Sequence, residues 1–274
     1  METVSSGTIK VLFDPDERET AGLIASACDR SLQLARELWG LDPPVHCHIY
    51  VMSSWLEFIF QSAPWPWRVL LAGSFPLWVF RARRTWPYAA AWTQRYGRRV
   101  AIGVKPPRLL AQSDRRGGER IFVQEEDSHA QLQQVTCHEL VHACSAHLRL
   151  PAWLNEGIAI YTTDRFAGRL TVRQETAALL LPPQSAAAPP SYRDLYRMDV
   201  VAIANHSARA YWLVRYLEET QPRLLQTVFT QDLRVDSVEQ QIAAGLSIRP
   251  EDFWIELVAR AAAHFQPDVI GSSS

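Results

Sequence analysis

Apolar residues change their spacing about halfway along the chain, and the change separates two kinds of predicted element. Residues 8–13 (TIKVLF) alternate like a half-buried strand. Residues 17–39 (ERETAGLIASACDRSLQLARELW) repeat apolar positions every three or four residues, the period of an amphipathic helix, up to Gly40. After the Asp42-Pro43-Pro44 turn, 45–52 (VHCHIYVM) predicts a second strand in which His46 and His48 alternate with Val45, Cys47 and Ile49. VAIGV (100–104) and IFVQ (121–124) predict further strands, with a Pro-Pro turn and the polar loop QSDRRGGER between them. From Ser128 onward the period is helical, over about 129–148, 153–164, 170–181, 207–219, 222–231, 236–244 and 250–264, with LPPQSAAAPP (181–190) as a Pro/Ala connector. The expected fold is α+β and one domain, 1–274, with a strand-containing lobe over 1–127 and a helical lobe over 128–274.

One segment fits neither pattern. Six of the ten tryptophans fall at 55, 65, 67, 78, 86 and 92, and RARR follows at 81–84. The apolar run 65–80 is interrupted by Arg68 and Pro76 and is short of the ~20 residues a spanning helix needs. A buried or lid-forming insertion fits this pattern, and a membrane-touching element is the less favoured alternative.

Composition narrows the picture. With 47% hydrophobic and 21% charged residues and a net charge of −1, the chain gives no reason to expect nucleic acid or an anionic surface as its main partner. METVSSGTIKVLFDPDE shows no basic n-region followed by an apolar h-region, so a cytoplasmic setting is expected. Cys28, Cys47, Cys137 and Cys144 lack framework spacing and read as reduced thiols. His46 and His48 share a strand face and can bind a metal, but the simpler reading is a polar strand face.

The chemistry concentrates in TCHELVHACSAHLRLPAWLNEGIAIY (136–161). Residues four apart share a helix face, so the imidazoles of His138 and His142 can converge on one ion with Glu139 beside it. This is the H-E-x-x-H arrangement: two zinc ligands and a carboxylate able to take a proton from metal-bound water. A catalytic zinc needs a third protein ligand and an open position. The metzincin spacing fails, since Ser145 and Leu148 stand where Gly and His belong. His147 lies about 140° round the helix from His142, and Cys137 with Cys144 lacks the spacing of a structural zinc site and reads as core packing. Glu156 remains, one turn into a second helix that begins after Pro151 and Ala152. Gly157 beside it permits close helix–helix approach.

HELVH followed by PAWLNEGIAIY resembles the gluzincins, zinc peptidases with two His ligands and one Glu ligand on consecutive helices. The G-x-M-E-N element that grips a free amino terminus in the aminopeptidase branch is absent, so an endopeptidase is expected. A resemblance over most of the chain, through WGLDPPVHCHIYVM, LPAWLNEGIAIY, SYRDLY, SARAYWLVRYLEE and GLSIRPEDFWIEL, points to the bacterial peptidase MA-like group. It implies a zincin-like fold, a Zn²⁺ cofactor, a peptide or protein substrate, and Glu139 as general base. It also implies Tyr211 as the donor to the transition-state oxyanion, with Tyr161 and His206 as alternatives. Asp199 or Asp164 is expected to orient a ligand imidazole. The competing expectation is a zinc-binding scaffold that cleaves nothing and docks through its Trp-rich insertion.

Overall fold

Ile9, Val11 and Phe13 are buried and Lys10 is exposed, and this alternation makes Ile9–Phe13 a strand with one face committed to a core. The structure is a computed structural model, and it describes residues 1–112, 118–181, 188–195, 197–231 and 235–266. Residues 113–117 of the polar loop, 182–187 of the Pro/Ala connector and Tyr196 of SYRDLY lie outside the described residues. The fold is mixed α+β, and the chain divides into two compact units.

The first unit comprises Met1–Gln33, Asp42–Arg115 and Glu125–His147. Its five strands are β1 (Glu2–Ser6), β2 (Ile9–Phe13), β3 (Cys47–Val51), β4 (Ala91–Tyr96) and β5 (Arg99–Val104), in the spatial order β1-β2-β3-β5-β4. β2, β3 and β5 are mutually parallel, while β1 and β4 pair antiparallel at the two edges. Helix α1 (Arg18–Trp39) connects β2 to β3, as a parallel pair requires, and Gly40 ends it in the left-handed region at φ 67°.

One sheet face packs Ile9, Val11, Ile49 and Ile102 against Ile24 and Cys28 of α1 and against Leu132, Leu140 and Ala143 of α6 (Ser128–Ser145). The opposite face carries Tyr50, Ala101 and Tyr96 against Trp55, Phe58 and Ile59 of α2 (Trp55–Ser62) and Ala82 of α4 (Phe75–Thr85). Burial on both faces explains why β3 lacks a clean polar side: Tyr50 is buried on the His48 face. His48 is half-buried there and His46 is exposed in the turn before the strand.

Three expectations change here. β1 and β4 are additional strands: both are edges, and edge positions need little apolar alternation. IFVQ forms no strand, because only Phe122 pairs, in an isolated bridge to Val172. And α6 belongs with the sheet rather than opening a helical lobe, since its apolar side completes the sheet core. The Trp-rich segment folds as α2, α3 (Trp65–Gly73) and α4, with Pro66 and Pro76 in the first turns of α3 and α4, where a missing N–H costs nothing.

The second unit comprises Leu34–Leu41, Arg116–Gln124 and Leu148–Ser274. Helix α7 (Ala152–Ala167) packs on α9 (Val200–Thr220), joined by a 3-10 segment at Gln174–Leu180 and by α12 (Phe253–Phe265). The predicted 170–181 helix shortens to that 3-10 segment because the bridge at Val172 occupies its start. Among the described residues α5 (Pro107–Leu110), α8 (Tyr192–Leu195), α10 (Leu224–Phe229) and α11 (Val235–Gly245) complete the helices. Buried indoles here keep polar partners, as burial requires: Trp39 Nε1 donates to Thr162 Oγ1 at 2.7 Å, and Trp212 Nε1 to Thr176 Oγ1 at 2.9 Å. Among the described residues, no helix is long and apolar enough to cross a membrane.

Candidate metal centre

Asp127 caps α6 by accepting the His129 backbone N–H at 2.9 Å, which satisfies one of the orphan donors of a helix start. Two helical turns on, the sheet-facing side of α6 is apolar, and His138 and His142 share another face. Their Nε2 atoms lie 3.0 Å apart with the rings nearly perpendicular, at 89°. Burial, with the neighbouring His142, pushes the His138 pKa well below its ordinary value. The ring is therefore neutral, the state in which a nitrogen lone pair is available to a metal.

α6 stops at Ser145, and the chain turns through Arg149, which takes a positive φ of 53°. Pro151 then starts α7 and accepts the Asn155 N–H at 3.0 Å. Glu156 follows one turn in. Ligand atoms of His138, His142 and Glu156 all lie within 4.8 Å of one another. Among the described residues this is the group of histidine, cysteine and acidic side chains that can hold a metal ion, and neither His46 nor His48 belongs to one. Two imidazoles and a carboxylate match the donor set of catalytic zinc. The 3.0 Å between the imidazole nitrogens is close to the ~3.3 Å edge of a tetrahedron built on ~2.0 Å metal–nitrogen bonds.

Gly157 is required for close approach to α9. A Cβ there would stand 2.5 Å from the Ala210 carbonyl oxygen and 2.5 Å from Val214 Cγ2, so only glycine lets the backbone carrying Glu156 lie against that helix.

Glu139 is buried, and Thr93 of β4 donates its hydroxyl to Glu139 Oε2 at 2.5 Å. Sequence reasoning missed this partner. Thr93 stands 46 residues away in a strand that the apolar pattern did not disclose, so no local signal pointed to it. The thiols of Cys137 and Cys144 are buried and pushed up to about 12 by burial, which makes them inert core groups. His147 is exposed, with Nδ1 at 2.9 Å from the Cys144 carbonyl oxygen.

Tyr211 requires a correction. It is 0% exposed, and its hydroxyl donates to Asp164 Oδ2 at 2.6 Å while accepting from Arg215 Nη1 at 3.2 Å. Burial and the Asp164 carboxylate raise its pKa. A phenol has one proton, and Asp164 holds it, so Tyr211 has none to offer a substrate oxygen. Asp164 is committed as well: its Oδ1 accepts the Thr171 N–H at 2.7 Å and the Thr171 hydroxyl at 2.6 Å. Asp199 caps α9 by accepting the Ala202 N–H at 2.8 Å.

Of the other two residues, Tyr161 is half-buried edge-on to Trp39, 5.7 Å between centroids. His206 is buried, with Nε2 lacking a hydrogen-bond partner among the described residues. Burial and Arg209 lower its pKa to about 4. No protein-family model, curated protein or solved structure matches the chain.

Proposed function

We propose that the chain is a zinc-dependent peptidase that hydrolyses internal peptide bonds, with His138, His142 and Glu156 as metal ligands and Glu139 as the group that moves the proton. The observation that carries this reading is the gathering of three ligand atoms within 4.8 Å next to a buried glutamate gripped by Thr93. On this reading the α+β fold is zincin-like, and the resemblance of HELVH and WLNEG to the gluzincins, nearest the peptidase MA-like group, reflects kinship.

Zinc held by His138, His142 and Glu156 would supply a Lewis acid and lower the pKa of a water. Glu139, whose carboxylate flanks the two imidazoles, is the residue placed to hold a proton and pass it to the leaving amine, base first and acid second. Thr93 keeps the carboxylate aimed and limits its rotation, so less orientation is lost in reaching the transition state. With Tyr211 tied to Asp164, the donor to the developing oxyanion falls to Tyr161 or His206.

The test combines metal analysis with hydrolysis of an unfolded protein substrate. The purified chain is expected to carry about one zinc, and Glu156→Ala to lose most of it. Glu139→Gln is expected to keep zinc and lose activity by roughly a hundredfold or more, since the amide cannot accept a proton. Full zinc in Glu156→Ala removes that residue from the ligand set. Turnover of Glu139→Gln within a few-fold of the parent overturns the mechanism, and a parent that holds zinc but never cleaves leaves the scaffold reading.

A further inference from the structure

α3 has no buried residue, although its sequence is WPWRVLLAG. Trp65 is 74% exposed and Leu70 is 62% exposed; on α4, Leu77 and Phe80 are 86% and 80% exposed. Single exposed apolar side chains are ordinary, but a contiguous run on two successive helices marks a contact surface.

These helices are not loosely hung. Trp78 packs on the inner aromatic cluster and its Nε1 donates to the Leu71 carbonyl at 2.9 Å, tying α4 to α3. Arg68 Nε donates to the Ala63 carbonyl at 2.8 Å, tying α3 to the end of α2. Ala82 is buried on the same inner side. The outer face is thus a fixed apolar platform that the described residues leave uncovered.

Charge indicates what covers it. From Phe58 to Ser113 the sequence has no Asp or Glu and nine Lys or Arg. The whole chain has 28 basic and 29 acidic residues, so by sequence this stretch carries +9 and the remainder −10. Lys105 is buried on the Trp86 carbonyl and Arg108 pairs with Glu17, so the other seven supply the charge available to a partner. Arg83, directly after the apolar turn of α4, is exposed. Apolar side chains with tryptophan, bordered by arginine and free of carboxylates, match the headgroup boundary of an anionic bilayer. Spanning is excluded by length: nine and eleven residues make about 14 and 17 Å of helix, against ~30 Å of hydrocarbon.

We propose that α3 and α4 form an interfacial docking surface that seats this protein on an anionic lipid membrane. Trp65, Leu70, Leu77 and Phe80 enter the headgroup–acyl boundary, and Arg83 meets lipid phosphates. The inference does not depend on the hydrolytic reading.

The experiment is sedimentation of the full chain with phosphatidylcholine vesicles, with and without added phosphatidylglycerol, followed also by tryptophan fluorescence. Binding to the anionic vesicles is expected to be about tenfold or more tighter than to neutral ones and to weaken with salt. The double substitution Leu77→Ser with Phe80→Ser is expected to lower partitioning by about tenfold or more, with zinc content and the unfolding midpoint unchanged because both side chains are exposed. Arg83→Glu is expected to weaken binding to anionic vesicles alone. If the double variant fails to fold, Trp65→Ser on α3 carries the same expectation. No partitioning by the parent, or equal partitioning into both vesicle types, overturns the proposal. So does a lipid-free dimer that the double variant dissociates, which would assign the surface to a second copy.

Discussion

At the scale of single residues, the least expected pairing is Thr93 with Glu139. A carboxylate flanking two histidines on a helix is free to rotate about its side-chain torsions, and one hydrogen bond from a neighbouring strand removes most of that freedom. Thr93→Val is expected to lower kcat by roughly ten- to a hundredfold with zinc content and KM little changed, and Thr93→Ser to recover it. An equal loss in the Ser variant would mean that packing of the methyl group, rather than the hydroxyl, is what matters. Tyr211 shows the reverse situation. SARAYW marks a tyrosine beside a tryptophan, but its proton goes to Asp164, a fact no spacing along the chain encodes.

At the scale of elements, α7 joins the candidate ligand Glu156 to the core of the second unit. Its contact with α9 passes through Gly157, where a Cβ would meet backbone as well as side chain. Gly157→Ala is expected to destabilise by about 1–3 kcal/mol through overpacking, read from the urea unfolding midpoint. A neutral result would mean that the two helices separate at little cost. The starts of α6 and α7 were legible from periodicity and Pro151, whereas α6 ends at Ser145, short of the expected 148, and α7 runs on to Ala167, past the expected 164. The neighbour that Gly157 admits was not legible, because glycine declares a need for space without naming what fills it.

For the molecule as a whole, the half-buried Glu218 and the buried His206 on α9 set opposite pH dependences. Burial raises Glu218 to about 7 from 4.5, while burial and Arg209 lower His206 to about 4 from 6.5. For Glu218, the folded state binds more protons than the unfolded one between those values, so its contribution is lost as pH rises from about 4.5 to 7. For His206 the unfolded state binds more, so its contribution is present above 6.5 and lost as pH falls toward about 4. Relative to the parent, Glu218→Gln is therefore expected to gain stability above pH ~7 and to differ little at pH ~4.5, as measured by unfolding midpoints at the two pH values. A difference that does not change with pH would show that Glu218 titrates as an exposed acid.

Apolar periodicity by itself determined the mixed α+β class, α1, the core strands β2, β3 and β5, and the long helices of the second half. It also determined that His138, Glu139 and His142 lie together on one helix, with Glu156 one turn into the next. All of these depend on spacing within a few residues, where the backbone geometry of helix and strand is the only ruler needed. The tertiary structure alone decided that Thr93 grips Glu139, that Tyr211 belongs to Asp164, and that Tyr50, on the strand face it shares with His48, is buried. It also divided the tryptophans, sending Trp55 into the core and leaving Trp65 on the surface. Those outcomes depend on which distant segment comes to lie opposite, and a side chain's local pattern states its own polarity but not its neighbour's.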